Sequence, residues 1–191
     1  LDKPLLSKLE VFNTEGLEFF QGDIKPSIIL CGHNRIGYSI LRSLKKIKKK
    51  VLVVDYNPEI ITKLAKQGYH CIYGEAGDEE IIERMHLKNI KIFISTIPSF
   101  SENTMLIKRI KKVNKKAKIF VTADNIEDAL KFYSLGVDYV NLPHFLGGEK
   151  VADLITSLRR RKTNLKIERF DHIEELKGRK DFGHEHPSSL F

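Results

Sequence analysis

Residues 28 to 40 read IILCGHNRIGYSI, and this stretch decides the fold. Four apolar positions run directly into a turn containing Gly32 and Gly37, and a helix-forming segment follows. An apolar strand, a glycine turn and a helix in immediate succession form the dinucleotide fingerprint. The first glycine permits the tight turn and the third allows the helix to pack close to the strand. The middle glycine, which lets backbone approach the phosphates, is replaced here by Asn34. Asparagine tolerates unusual backbone angles and carries its own hydrogen-bond donor. The turn therefore places Gly32, His33, Asn34, Arg35, Ile36 and Gly37 around a phosphate. The following helix aims its N-terminus at that anion, and Arg35 adds a cation for the phosphate or for a dimer partner.

A second apolar run, Val51 to Asp55, ends in an acid eighteen residues after Gly37. At that distance a carboxylate accepts hydrogen bonds from the hydroxyls of an adenosine ribose. Tyr56, not an arginine, stands beside it, so a 2′-phosphate is repelled. The expected ligands are NAD(H), AMP, ADP or ATP in preference to NADP(H). The competing reading of Asp55 is a turn or capping residue ahead of Asn57-Pro58.

Outward from this unit the pattern repeats. Short runs rich in Val, Ile, Phe and Tyr lie at 28–31, 51–55, 70–73, 92–96, 119–122 and 138–141. Such runs predict strands buried on both faces. Helices are predicted over 36–48, 58–67, 78–85, 101–113 and 126–135, with Pro58 opening one and Gly68 and Gly136 closing two. Strand and helix alternating with short links build right-handed crossovers and a parallel sheet. The expected fold is α/β: a Rossmann-like, doubly wound, six-stranded parallel sheet with helices on both faces. A TIM barrel needs about 250 residues and is excluded by length.

Residues 1–26 read as a short helix and a connector, 27–143 as the nucleotide-binding domain, and 144–191 as an arm helix with a tail. Residue 1 is leucine, and the expectation is a piece of a longer polypeptide. A helix over 144–158 carries Leu146, Val151, Leu154, Ile155 and Leu158 on one face, which marks it for dimerisation. Residues 165–170 are expected to add a strand, and the tail from Gly178 to be loosely ordered. His184 and His186 in that tail lack further ligands and predict no metal.

The chain has 191 residues and a net charge of +8, from 33 Lys and Arg against 25 Asp and Glu. Cations from Lys45 to Lys50 and from Arg159 to Lys162 fall at helix ends, where they complement helix dipoles. No RNA-binding or helix-turn-helix signature accompanies them, so no nucleic-acid partner is expected, while lipid headgroups stay open. The two cysteines, Cys31 and Cys71, sit in or beside strands and suit a reducing compartment. The sequence has no run of about 18 apolar residues.

Five segments in order resemble the regulator of potassium conductance family, also called the Trk N-terminal domain: CGHNRIG, VLVVDYNPE, YGEAGDEEII, IFISTIPS with Asn103 following, and KIFVTADN with GVDYVNLP after it. The resemblance spans about residues 27 to 156. It implies that Glu75 and Ala76 meet the adenine edge and that Thr96, Ile97 and Pro98 line the floor. Glu75 stands where the family usually has aspartate. Thr122 and Asp124 replace the paired glutamates of calcium-binding members, and they supply no cation that would complete a glutathione site with Arg42. Residues 2–9 are similar to the juxtamembrane connector of Kef-type cation:proton antiporters.

The resemblance implies a homodimeric regulatory domain on the cytoplasmic face of the cell membrane, attached to a potassium channel or antiporter and performing no catalysis. The alternative is an NAD-dependent oxidoreductase. It lacks a convincing acid or base: His33 lies in the phosphate turn, His144 follows the sixth run, and no Tyr-x-x-x-Lys pair is present where one is needed. A DNA-associated redox sensor would need a reading head that the sequence does not display.

Overall fold

The computed structural model describes residues 18–19, 25–160 and 163–181. The expected N-terminal helix, Arg161 and Lys162, and the histidines of the tail lie outside the described residues. The apolar runs form strands and the amphipathic segments between them form helices. In chain order these are β1 (Glu18–Phe19), β2 (Ile28–Cys31), α1 (Arg35–Ser43), β3 (Val51–Asp55), α2 (Pro58–Lys66), β4 (His70–Tyr73), α3 (Glu79–Arg84) and β5 (Ile92–Ser95). They are followed by α4 (Phe100–Val113), β6 (Lys118–Thr122), α5 (Ile126–Ser134), β7 (Tyr139–Asn141), α6 (Pro143–Arg159) and α7 (Leu165–Asp181).

Sheet order is β1-β4-β3-β2-β5-β6-β7. The six expected strands are mutually parallel. From β2 the chain winds outward one way through β3 and β4, then returns to β5 and winds the other way. Right-handed crossovers accordingly send α1 and α2 to one face and α4 and α5 to the other. The direction reverses between β2 and β5, and their diverging carboxyl ends open the crevice that such folds use for ligands. β1, within the segment read as connector, pairs antiparallel with β4 and covers that sheet edge.

Three of the helix starts have a side-chain cap as their local cause. Asn57 accepts the N–H groups of Glu59 and Ile60 ahead of Pro58, Ser99 accepts that of Glu102, and Asn125 accepts that of Asp128. The predicted helix 36–48 ends at Ser43 and gives way to a 3₁₀ stretch, Lys45–Lys50, where like charges disfavour another α-turn.

β2 and β3 are wholly buried, as expected. β5, β6 and β7 depart from the expectation. Phe93, Ile119, Val121 and Val140 are buried beneath α4 and α5, whereas Phe120 and Tyr139, on the opposite face, are exposed. Ile94, Phe120 and Tyr139 stand directly opposite one another in register. Short crossovers supply helices for one face of this half of the sheet only.

The chain divides into two compact units between Asn141 and Leu142. In the second unit, residues 165–170 are helical and not a strand. Asn164 accepts the N–H of Lys166 through its side chain and those of Ile167 and Glu168 through its carbonyl. That cap, with an Arg179–Glu175 ion pair one turn apart, outweighs the brief alternation of Leu165 and Ile167. Gly178 to Asp181, expected to be loose, complete α7.

Candidate nucleotide-binding turn

At Gly32 the chain leaves β2 with φ +84°, in the left-handed region. A Cβ there would stand 2.6 Å from Oγ1 of Thr96. Thr96 follows β5 across the crevice, and its hydroxyl donates to the carbonyls of Gly32 at 3.0 Å and Cys31 at 3.3 Å. At Gly37 a Cβ would fall 2.2 Å from the carbonyl oxygen of Gly32, so only glycine lets α1 pass this close to the turn. Both glycines thus have the roles their spacing predicts.

Asn34 is the N-cap of α1. Its Oδ1 accepts the N–H of Arg35 at 2.8 Å, so the side chain serves the helix. The amides of Ile36 and Gly37, at the second and third helical positions, have no acceptor that the helix can provide. With the dipole of α1 they form the anion-attracting end of the site. Arg35 is the first residue of α1 and is half-buried. The imidazole of His33 is turned into the protein, 1% exposed and edge-on to Tyr38 at 5.9 Å between ring centroids. What His33 offers the turn is its backbone.

Asp55 is 6% exposed. Its Oδ2 accepts the N–H of His33 at 2.7 Å and its Oδ1 that of Asn57 at 2.8 Å. The carboxylate therefore faces the glycine turn and also makes the local turn bond of the competing reading. Each oxygen keeps a second lone pair. Burial raises the pKa of Asp55 above the ordinary carboxylate value, and the two N–H bonds oppose that shift. Tyr56, beside it, is 74% exposed.

After β4, Gly74 adopts φ +150° and its N–H donates to the carbonyl of Asp55, which ties the β4 loop to the end of β3. In that loop Glu75 is exposed and Ala76 buried. After β5, Ile97 is half-buried and Pro98 exposed. Gly32, Asp55 and Thr96 thus come together at the carboxyl ends of three adjacent strands, with Glu75 and Ala76 beyond β4.

Two groups were missed as site residues. Asn103, 1% exposed, donates through Nδ2 to the carbonyl of Ile97 at 2.8 Å and fixes the floor loop. Glu102 lies against Gly77, where a Cβ would stand 2.9 Å from its Oε1. The small residue at 77 was the available signal.

Burial pushes the thiols of Cys31 and Cys71 well above the ordinary cysteine range, with Asp55 adding to both shifts. Neither is a ready nucleophile. A separate groove of about 620 Å³ follows α4, lined by residues including Phe100, Thr104, Lys108 and Arg109, and none of the predicted site residues line it. Among the described residues no group of three His, Cys, Asp or Glu side chains is placed to hold a metal, and no helix is long and apolar enough to cross a membrane.

The model of the TrkA-N domain family matches residues 28–143, more than half of the chain. Potassium channel protein 1 of Methanocaldococcus jannaschii is 25% identical over 126 residues, 65% of this chain and 38% of the relative. The chain thus spans less than half the length of that relative. The TrkA-N domain of the inner membrane protein ybaL from Escherichia coli has the same fold, with a TM-score of 0.63 and 22% identity over 69% of this chain and 98% of that one. So does the Shewanella denitrificans Kef CTD, solved in its AMP-bound form, with a TM-score of 0.56 and 19% identity over 81% of this chain and 91% of that one. The GsuK channel, solved bound to NAD, matches with a TM-score of 0.54 and 18% identity over 65% of this chain and 22% of that one; it has also been solved bound to ADP.

Proposed function

We propose, since this chain belongs to the TrkA-N domain family, that it is a nucleotide-sensing regulatory domain controlling an attached potassium channel or monovalent cation:proton antiporter from the cytoplasmic face of the membrane. The observation that carries the reading is the Asp55 carboxylate held against the glycine turn. An adenine nucleotide, NAD(H), AMP, ADP or ATP, fits this site. Its phosphates meet the amides of Ile36 and Gly37 and the cation of Arg35. Its ribose hydroxyls donate to the remaining lone pairs of Asp55, and its base lies toward Glu75 and Ala76, with Thr96, Ile97 and Pro98 beneath. Asn34 and His33 shape the turn, and Tyr56 borders the ribose.

The domain acts as a binding element and breaks no bond. Nucleotide biases transport when it binds two dimer arrangements with different affinity, and the difference in binding free energy is the coupling. Two apolar surfaces support a homodimer. One is the row of Ile94, Phe120 and Tyr139. The other is α6, which has no buried residue and exposes Phe145, Val151 and Ile155. In this reading residues 1–26 are the juxtamembrane connector, 27–143 the sensor and 144–191 the dimer arm and tail.

Calorimetric titration of NAD⁺, NADH, AMP, ATP and NADP⁺ into the chain tests the proposal. Saturable binding of one or more adenine nucleotides, with NADP⁺ much weaker, is expected. Binding of none of the five ends the reading, and turnover of bound NAD⁺ with an alcohol would replace it with the oxidoreductase.

A further inference from the structure

We propose that the edge of the sheet at which the parallel strands begin is a docking surface for an anionic lipid bilayer. Parallel topology puts every strand start on one edge, so residues far apart in sequence become neighbours there. The N–H of Ser27 donates to the carbonyl of Lys50, that of Lys91 to Ser27, and that of Lys118 to Lys91, at 3.0, 2.8 and 2.8 Å. These bonds set Lys50, Ser27, Lys91 and Lys118 side by side on four adjacent strands, within roughly 15 Å at the usual strand spacing. Lys115 and Lys116, in the turn before β6, join the row.

Helix dipoles account for only part of it. Lys45, Lys66 and Lys112 sit at or just after helix ends and answer to the partial negative charge there, and Lys115 and Lys116 follow the C-cap of α4, but Lys50 and Lys91 lie outside any α-helix, and Lys50, Lys91, Lys115 and Lys116 are all exposed. No ion pair among the described residues holds any of these four. Asp138, just before β7, pairs with Lys118. The nucleotide turn lies at the opposite ends of the same strands, which leaves it accessible while this edge is occupied.

The cations of the row are lysines, compact point charges suited to a diffuse headgroup layer and not to forked recognition of bases. Among the described residues no helix or ribbon projects from this edge to enter a groove of nucleic acid. The choice of lipid rests on the proposed tie to a membrane transport protein. The charge row is independent of it, and vesicle binding is measured apart from nucleotide binding.

The test is co-sedimentation of the chain with phosphatidylserine-rich and pure phosphatidylcholine vesicles at about 0.15 M ionic strength. A variant carrying Lys50→Gln, Lys91→Gln, Lys115→Gln and Lys116→Gln is compared with an equal-charge control, Lys108→Gln, Lys150→Gln, Lys166→Gln and Lys177→Gln. Binding to the serine lipid alone is expected, falling roughly fivefold per lysine removed from the row; the control should retain it within a few fold. Lysine-to-arginine replacement at the four row positions, which keeps the charge, should also retain it. Equal losses in both glutamine variants, no binding to the anionic vesicles, or tighter retention on duplex DNA than on those vesicles would overturn the proposal.

Discussion

Oδ2 of Asp55 accepts the backbone N–H of His33 at 2.7 Å, a bond across 22 residues of sequence that joins the end of β3 to the glycine turn after β2. The acid expected to hold a ribose therefore also builds the turn expected to hold the phosphates, and its substitution acts on both.

Asp55→Ala should abolish measurable adenosine binding and also lower stability. The change leaves the buried N–H of His33 and the N–H of Asn57 without their acceptor, at a cost of roughly 1–3 kcal/mol. Urea unfolding measures the second effect. Asp55→Asn, which keeps one acceptor oxygen, should recover part of the stability and little of the affinity. Full nucleotide affinity in either variant would remove Asp55 from the ribose role.

The pH dependence has a definite sign. Burial raises the pKa of Asp55, so its contribution to stability is greatest below the unfolded-state value and is lost as pH rises through the folded value. Ribose hydroxyls donate to the ionised carboxylate, so nucleotide affinity should run the other way and weaken as pH falls through that same raised value. Carboxyl-carbon NMR of Asp55 with and without AMP checks both. The midpoint should lie above the ordinary aspartate value in the free chain and drop on binding.

Gly37→Ala should be among the most damaging single substitutions in this turn, because its Cβ would press on a backbone oxygen at 2.2 Å. A loss of about 3 kcal/mol is expected, with nucleotide binding lost as well. Gly32→Ala meets a side-chain hydroxyl instead, so Thr96→Ala in the same chain should relieve the clash. The cost of the left-handed backbone, roughly 1–2 kcal/mol, should remain. A double-mutant cycle that finds the two sites additive would contradict the Thr96 contact.

Phe145→Glu together with Ile155→Glu places charges on exposed apolar positions of α6. Sedimentation equilibrium should show a dimer in the unaltered chain and a monomer in the variant, with unchanged far-UV circular dichroism. A dimer that persists in the variant would take α6 out of the interface.

The strands, their parallel sense, the glycine turn and the acid after β3 were legible in the sequence because each rests on a local signal: apolar runs of strand length, glycines at a fixed spacing, capping residues before helices. Those signals operate within a few residues, where backbone sterics and side-chain-to-backbone bonds decide conformation. Local pattern misleads at residues 165–170, where a brief alternation predicts a strand although Asn164 starts a helix. It is silent on β1, a two-residue edge strand whose pairing with β4 depends wholly on the partner.

Taken alone, then, the sequence specified a doubly wound α/β fold with a glycine turn after its first parallel strand. Tertiary structure alone decided how the residues around that turn divide their work. It turned the His33 ring inward while keeping its amide at the turn, gave the Asn34 side chain to the cap of α1, set Thr96 as the lock on Gly32, and brought in Asn103 beneath Ile97. It also gathered the lysines that precede separate strands into one row. Each of these depends on atoms brought together across long sequence separations by sheet pairing, and a one-dimensional pattern carries no record of which neighbour a buried donor or a surface charge will meet.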